Sequence, residues 1–563
     1  MDERVLDAQR WVNTTYSGIA GYERCPEDGK TNWATMYSLT EGLQHELGIQ
    51  ELSHAFGPTT MSKVDARGGV GPGERNKNIV NIIKCAFYCK GYPGGNLDGI
   101  WKSSPSFGPQ QDAVAGSLYA MTDNMGIGRQ DRLNAKLFKA LLTMDAYVLV
   151  SGGDPEIRKI QQWLNGRYWR RSFATLIPTE GHYSRDVQKL LMKALQCEFG
   201  IADASVNGNF GPATRQQLAA HSLKPGDSGV LVELLSAACV FNGAVPSGEG
   251  MVHTVFKHEF DDKLASYIRA FQAFSLLPVT NRVDYATWCQ LLVSTGDPNR
   301  TAHACDTRFT ITESLAHSLV KSGYTVVGRY LDEPPDSTLD KKLKDGELQA
   351  IFAGNMRVFP IWQYNARRLI DFSFDFGWEH GNKAHDRMVH YGFNPGAIVY
   401  FAVDYDATDP EIDSNIIPYF RGIQAALASR GHAYRAGVYG SRNVCSRVSA
   451  QTYTVSSFVS GMSWGYSGNL GFPLPYNWSF NQIQEFRYSA DPDGEIDLDR
   501  DVHRMNIDPG IGPEGVGGHT PSKLEDVLAK VDQLHEMAAK FDGGTSDVAL
   551  INKRVLEFLR HPK

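Results

Sequence analysis

No stretch of this 563-residue chain approaches the ~18–20 consecutive apolar residues that cross a bilayer as a helix. The start, Met1-Asp2-Glu3-Arg4, has no basic region followed by an apolar run, so no secretory leader is expected. Cysteine is sparse. Cys25, Cys85, Cys89, Cys197, Cys239, Cys289, Cys305 and Cys445 lack metal-ligand spacing, and only Cys85 and Cys89 are close. Buried reduced thiols are expected, and neither a metal nor a cofactor. Positive charge is in deficit: 56 Lys and Arg against 63 Asp and Glu give a net charge of −7. With no basic cluster interleaved with aromatics, a nucleic-acid partner is not expected.

The composition is otherwise ordinary for a globular protein, with 42% hydrophobic and 21% charged residues. At this length one core is too few, and several domains are expected. Aromatic residues make up 11%, which suits carbohydrate contact and core filling alike.

The N-terminal half repeats itself. Ala8-Gln9-Arg10-Trp11-Val12-Asn13 returns 152 residues later as Ile160-Gln161-Gln162-Trp163-Leu164-Asn165. Leu43-Gln44-His45-Glu46-Leu47-Gly48-Ile49 returns as Leu195-Gln196-Cys197-Glu198-Phe199-Gly200-Ile201. Phe56-Gly57-Pro58-Thr59-Thr60 returns as Phe210-Gly211-Pro212-Ala213-Thr214. A nearly constant offset predicts tandem copies, 1–150 and 151–299, each built of helices joined by Gly-containing turns.

From about residue 300 short apolar strands alternate with helices, which predicts a parallel α/β barrel over 300–508. Its most telling strand is Ile398-Val399-Tyr400-Phe401-Ala402-Val403, followed by Asp404-Tyr405-Asp406. Alternation along a strand predicts that Asp404 and Asp406 point to the same side, at the rim where barrel enzymes keep their chemistry. Only about ten residues separate Phe486 from Ile496, too few for a crossover helix, so the last helices of the barrel are expected to be reduced. Residues 509–520 read as a linker. In the tail, 521–563, Leu524, Val527, Val531, Leu534, Ala538 and Phe541 step by three and four, as in a coiled-coil seam. That tail is expected to oligomerise, dock, or cap the barrel.

Two resemblances sharpen this reading. Val206-Asn207-Gly208-Asn209-Phe210-Gly211-Pro212-Ala213-Thr214, with Gly226-Asp227-Ser228-Gly229, resembles the signature of the small three-helix peptidoglycan-binding domain. The region 300–505 resembles the glycoside-hydrolase-like family of unknown function found with peptidoglycan-binding repeats in actinobacterial and phage proteins, itself related to the family 25 lysozyme-like muramidases. The matching pieces are Asp306, Val327-Gly328-Arg329-Tyr330, Phe359 to Tyr364, Val399 to Asp406, Ala436 to Ser441, Ile483-Gln484 and Glu495 to Asp499.

The resemblance implies a TIM-like barrel with catalytic acids Asp404, Asp406, Asp306 and Asp497. Asp406 takes the place of the muramidase acid, although the family's glutamate is here an aspartate, shorter by one methylene. Arg329, Tyr330, Gln363, Tyr364, Tyr439, Trp464 and Gln484 are the implied sugar contacts. The expected activity is hydrolysis of cell-wall peptidoglycan by an endolysin or delivered lytic effector, made in the cytoplasm and acting at the wall. A non-catalytic glycan-binding or particle-associated protein, and an intracellular glycosidase on another polymer, are the alternatives.

Overall fold

The computed structural model describes residues 1–101, 114–248, 250–490 and 494–517. The tail, with its expected coiled coil, lies outside them. The described residues fall into two compact units.

The first unit, Met1–Ala244 with Val252–Ile268, is built of helices. Side-chain caps start many of them: Asp2 for Glu3–Tyr16, Asn32 for Trp33–Glu46, Asp154 for Pro155–Tyr168 and Ser184 for Arg185–Glu198. Buried amides tie these helices to the turns beside them. Gln9 donates to Lys30 O (3.0 Å) and accepts from Gly29 N (2.8 Å). Gln161 donates to His182 O (2.7 Å) and accepts from Gly181 N (2.9 Å). Asn13 brackets both backbone groups of Cys25, and Asn165 both of Ile177. Tyr16 donates to Glu46, and Tyr168 to Glu198. Gln44 donates to Ala55 O and Thr60, as Gln196 does to Asn209 O and Thr214.

The second unit, Val245–Met251 with the residues from Arg269 on, contains the barrel. Two short strands, β1 (Val245–Ser247) and β2 (Gly250–Val252), pair with each other. Eight more close the barrel: β3 (Ala304–Asp306), β4 (Val326–Tyr330), β5 (Arg357–Trp362), β6 (Ile398–Ala402), β7 (Arg435–Gly440), β8 (Ser456–Val459), β9 (Trp478–Ala490) and β10 (Gly494–His503). Neighbours from β3 to β9 run parallel, while β10 is antiparallel to both β9 and β3. The helices Glu313–Lys321, Glu347–Ala353, Phe374–His390, Ile417–Ser429 and Arg442–Gln451 follow β3 to β7 in turn. Between β8 and β9 only the single turn Ser467–Asn469 is helical, and β9 and β10 form a hairpin. The short connection thus closes the barrel by reversing the chain, which corrects the all-parallel expectation.

Inside, Phe359 stacks on Phe480 at 4.0 Å and meets Tyr400 and Phe458 edge-on. Ala304, Val326, Ile361 and Ile398 complete this plug. A Cβ on Gly328 would lie 2.5 Å from the Phe359 ring and 2.7 Å from Asp306 Cβ, so only glycine fits there. Below the plug, the Tyr400 hydroxyl donates to Asp508 at 2.6 Å. The segment read as a linker begins as packed chain: Ile511 pairs with Val358, and Val516 with Phe393.

Candidate active site

Above the aromatic plug the strand ends enclose a cavity of about 340 Å³. Alternation decides what enters it. Along β4, Val326, Gly328 and Tyr330 face the interior, so Arg329 faces the helices. Along β10, Asp497, Asp499 and Asp501 share the inner face. On β9 the register shifts opposite Arg500 and Asp501, which places Gln482 against Asp501 and Glu485 against Asp499. This bulge rotates Gln484 to the outside and brings Gln482 and Glu485 in.

Four acids and Glu485 line the cavity: Asp306, Asp404, Asp497 and Asp499. The Gln482 amide donates to Asp306 (2.8 Å) and to Asp499 (3.1 Å), which holds the two carboxyls side by side. Beneath them lies Asp501, fully buried and diagonal to Asp306 in the β3–β10 pairing. On the opposite wall Asp404 accepts from Gln363 (3.1 Å) and faces Arg367 (3.6 Å). Tyr439 donates to Gln482 at 2.8 Å, and Tyr330 completes the wall.

Burial pushes the Asp306, Asp499 and Asp501 carboxyls well above the ordinary carboxylate range. Asp499 is pushed further by the neighbouring charges of Asp306, Glu485, Asp404 and Asp497. Asp404 is raised by burial too, and Arg367, Gln363 and Lys341 hold it down. The site therefore sets Asp499, raised by burial and by neighbouring acids, across from Asp404, which burial raises against the pull of three neighbours. That pairing serves general-acid chemistry.

The expected site residues separate into three groups. Asp306, Asp404, Asp497, Tyr330, Gln363 and Tyr439 come together at the cavity. Asp406 does not: β6 ends at Ala402, alternation lapses beyond it, and Asp406 turns outward to accept from Ser467 (2.7 Å) and Gly468 N (3.4 Å). Arg329, Tyr364, Trp464 and Gln484 lie outside the lining. Arg329 is buried in an ion pair with Glu347 (2.6 Å) and donates to Thr307 O and Lys341 O. Tyr364 stacks on Trp362 and donates to Asp332, and Trp464 is exposed on the loop after β8. Asp499, Asp501, Gln482, Glu485 and Arg367 were not expected. The alternating acids of Asp497-Leu498-Asp499-Arg500-Asp501 are the signal that would have found three strand positions on one face.

Comparison with known proteins adds the following. Residues 150–292 match the family described as FadG/YbfG, PGDB-like domain, and residues 317–508 match the Rv2525c-like, glycoside hydrolase-like domain. The chain is 40% identical to the uncharacterized protein FadG of Bacillus subtilis, covering all of this chain and 95% of FadG. It is 37% identical to the uncharacterized protein YbfG of the same organism, covering 96% of this chain and 73% of YbfG. Among solved structures, the Tat-secreted Mycobacterium tuberculosis protein Rv2525c, crystallised with HEPES, is 17% identical. The match spans 36% of this chain and 94% of that one, with a TM-score of 0.30. An uncharacterized B. stearothermophilus protein is 15% identical over 37% of this chain and 98% of its own, with a TM-score of 0.28. By identity and by coverage of both curated relatives, this chain belongs to the FadG/YbfG family and carries a glycoside hydrolase-like barrel.

Proposed function

We propose that the barrel is a glycoside hydrolase acting on bacterial cell-wall glycan, and that the helical region is a duplicated peptidoglycan-binding module. The observation that carries the catalytic reading is the acid pair across the cavity, Asp499 bridged to Asp306 by Gln482 and pushed above the carboxylate range, and Asp404 faced by Arg367. Glycoside hydrolysis needs one carboxylic acid to protonate the leaving oxygen and one carboxylate to stabilise or attack the cationic centre. Asp499 takes the first role and Asp404 the second, with Asp306 and Gln482 positioning Asp499. The duplication is supported by residues 152 apart, Gln9 and Gln161 or Asn13 and Asn165, which make the same buried bonds. In this reading the protein acts at the wall after release or delivery from the cytoplasm.

The test is release of new reducing ends from purified sacculi by the full-length chain. Release that Asp404→Asn and Asp499→Asn abolish, with folding unchanged, is the expected result. Sacculus binding without release by the native protein overturns it in favour of a second reading, a glycan-binding barrel without turnover. The observation favouring that second reading is Asp406, the acid that the resemblance to muramidases implies as catalytic, engaged outside the cavity by Ser467 and Gly468.

A further inference from the structure

A second cavity, of about 500 Å³, adjoins the first and shares Gln363 and Arg367 with it. Its floor holds Lys341, only 7% exposed. The Lys341 ammonium donates to Gln363 O (2.8 Å) and Gln363 Oε1 (3.4 Å), and lies 4.5 Å from the Tyr330 ring centre. Among the described residues no carboxylate forms an ion pair with it. Glu333 and Asp404 act on it from a distance, and a buried cation with no carboxylate in contact is costly, a cost that a bound anion reduces. Burial, reinforced by nearby Arg367 and opposed by Glu333 and Asp404, pushes the Lys341 ammonium down to about 8, so it stays largely charged at neutral pH.

The acids that line this second cavity are not in contact with the cation. Asp371 accepts from the backbone of Arg367 and Arg368, both at 3.0 Å, and pairs with the Arg368 side chain at 3.6 Å. Asp336 is exposed at the edge. Backbone strain concentrates at the same place. Asn365 (φ 47°) and Ala366 (φ 63°), which carry the chain from Gln363 to Arg367, are both left-handed, as is Asp340 (φ 50°) next to Lys341. Non-glycine residues held there are strained, and such strain gathers at ligand clamps. Ala366 O accepts from Asp404 N at 2.8 Å, so the strained turn also fixes the candidate catalytic acid.

We propose that this second cavity is a subsite for an anionic group, carboxylate or phosphate, on a saccharide whose neighbouring unit lies over Asp404. Lys341 supplies the buried charge, Arg368 the outer one, and Arg367 spans the two cavities. That the ligand is a saccharide rests on the glycosidase reading; that it is anionic rests on Lys341.

The experiment is calorimetric titration of the full-length chain. The probes are N-acetylglucosaminyl-N-acetylmuramic acid, its uncharged methyl ester, N-acetylglucosamine 1-phosphate and N-acetylglucosamine. At least one acid is expected to bind tenfold or more tightly than its uncharged counterpart, and the stronger of the two identifies carboxylate or phosphate as the group read. Lys341→Met should bring the ratio to within twofold of one, and Arg368→Gln, at an exposed position that leaves folding intact, should lower it severalfold. Equal affinity for acid and uncharged probe, no binding of either acid, or a ratio that survives both substitutions overturns the proposal. Failure of the native protein to release reducing ends, with the ratio intact, removes the hydrolase reading and leaves the subsite standing; release with a ratio of one does the reverse.

Discussion

Asp306 and Asp501 sit diagonally across the antiparallel pairing of β3 and β10, both buried inside the barrel. Neither Asp501 oxygen receives a bond from any N–H or O–H of the described residues, so burial and the neighbouring Asp306 both favour its protonated form. Both folded-state values are raised by burial, above those of the unfolded chain. Between the two values the folded state binds more protons, so stability falls as pH rises. The contribution is complete below the ordinary aspartate value of about 3.9 and is lost as pH climbs through the raised one. Asp501→Asn supplies an amide donor to Asp306 and removes one titrating group. Urea unfolding should show a gain on the order of 1–3 kcal/mol at pH 8 and little change at pH 5. A loss at pH 8 would show that the pair is not proton-linked.

The Arg329–Glu347 pair gives a second test, because it separates structure from substrate contact. Both side chains are about 1% exposed, and Glu347 also accepts from Ile311 N (2.9 Å) and Lys344 N (2.8 Å). Glu347→Gln leaves a buried guanidinium without its counter-charge and should cost about 3–5 kcal/mol in denaturant unfolding. Arg329→Lys should also destabilise, since one ammonium cannot reproduce the guanidinium's several bonds. In both variants the folded fraction should bind glycan as the native protein does. A binding loss without a stability loss would return Arg329 to the substrate.

These two pairs show where sequence reasoning holds and where it stops. The strand Ile398–Ala402 is legible because a strand covered on both sides must be apolar throughout, and all five of its residues are buried. Its continuation is not, because Asp404 N turns to Ala366 O, a partner nearly forty residues away in sequence. Gln484, implied by the resemblance, lies outside the cavity while Gln482 enters it, because strict alternation cannot foresee the bulge opposite Arg500 and Asp501. Arg329 resembles a ligand contact in sequence, and only the position of Glu347 in space makes it an internal ion pair.

In the helical unit the prediction concerns equivalence. Gln9 and Gln161 each satisfy the N–H of one glycine and the C=O of the following residue. Replacing either by Leu strands those buried backbone groups and should cost about 2–3 kcal/mol. Hydrogen exchange reads the two sites separately: Gly29 should lose protection in Gln9→Leu and Gly181 in Gln161→Leu, by similar factors. A large loss at one and none at the other would argue against two copies of one module.

The pH dependence of catalysis has a sign fixed by Glu485. Its carboxylate lines the cavity, lies opposite Asp499 in the β9–β10 register, and is among the charges that raise Asp499. If Asp499 is the proton donor, activity on sacculi falls on the alkaline side as that proton is lost. Glu485→Gln removes a like charge, lowers the Asp499 value, and should move the alkaline limb toward acid by a few tenths to about one pH unit. Asp404→Asn should instead lower the rate by ~10²–10⁴ at every pH, because it removes the carboxylate opposite the donor. Asp406→Asn, at an acid that lies outside the cavity lining and accepts from Ser467, should change the rate by less than about tenfold. An alkaline limb unmoved in Glu485→Gln, or a larger loss in Asp406→Asn than in Asp404→Asn, would mean that the proton comes from another acid.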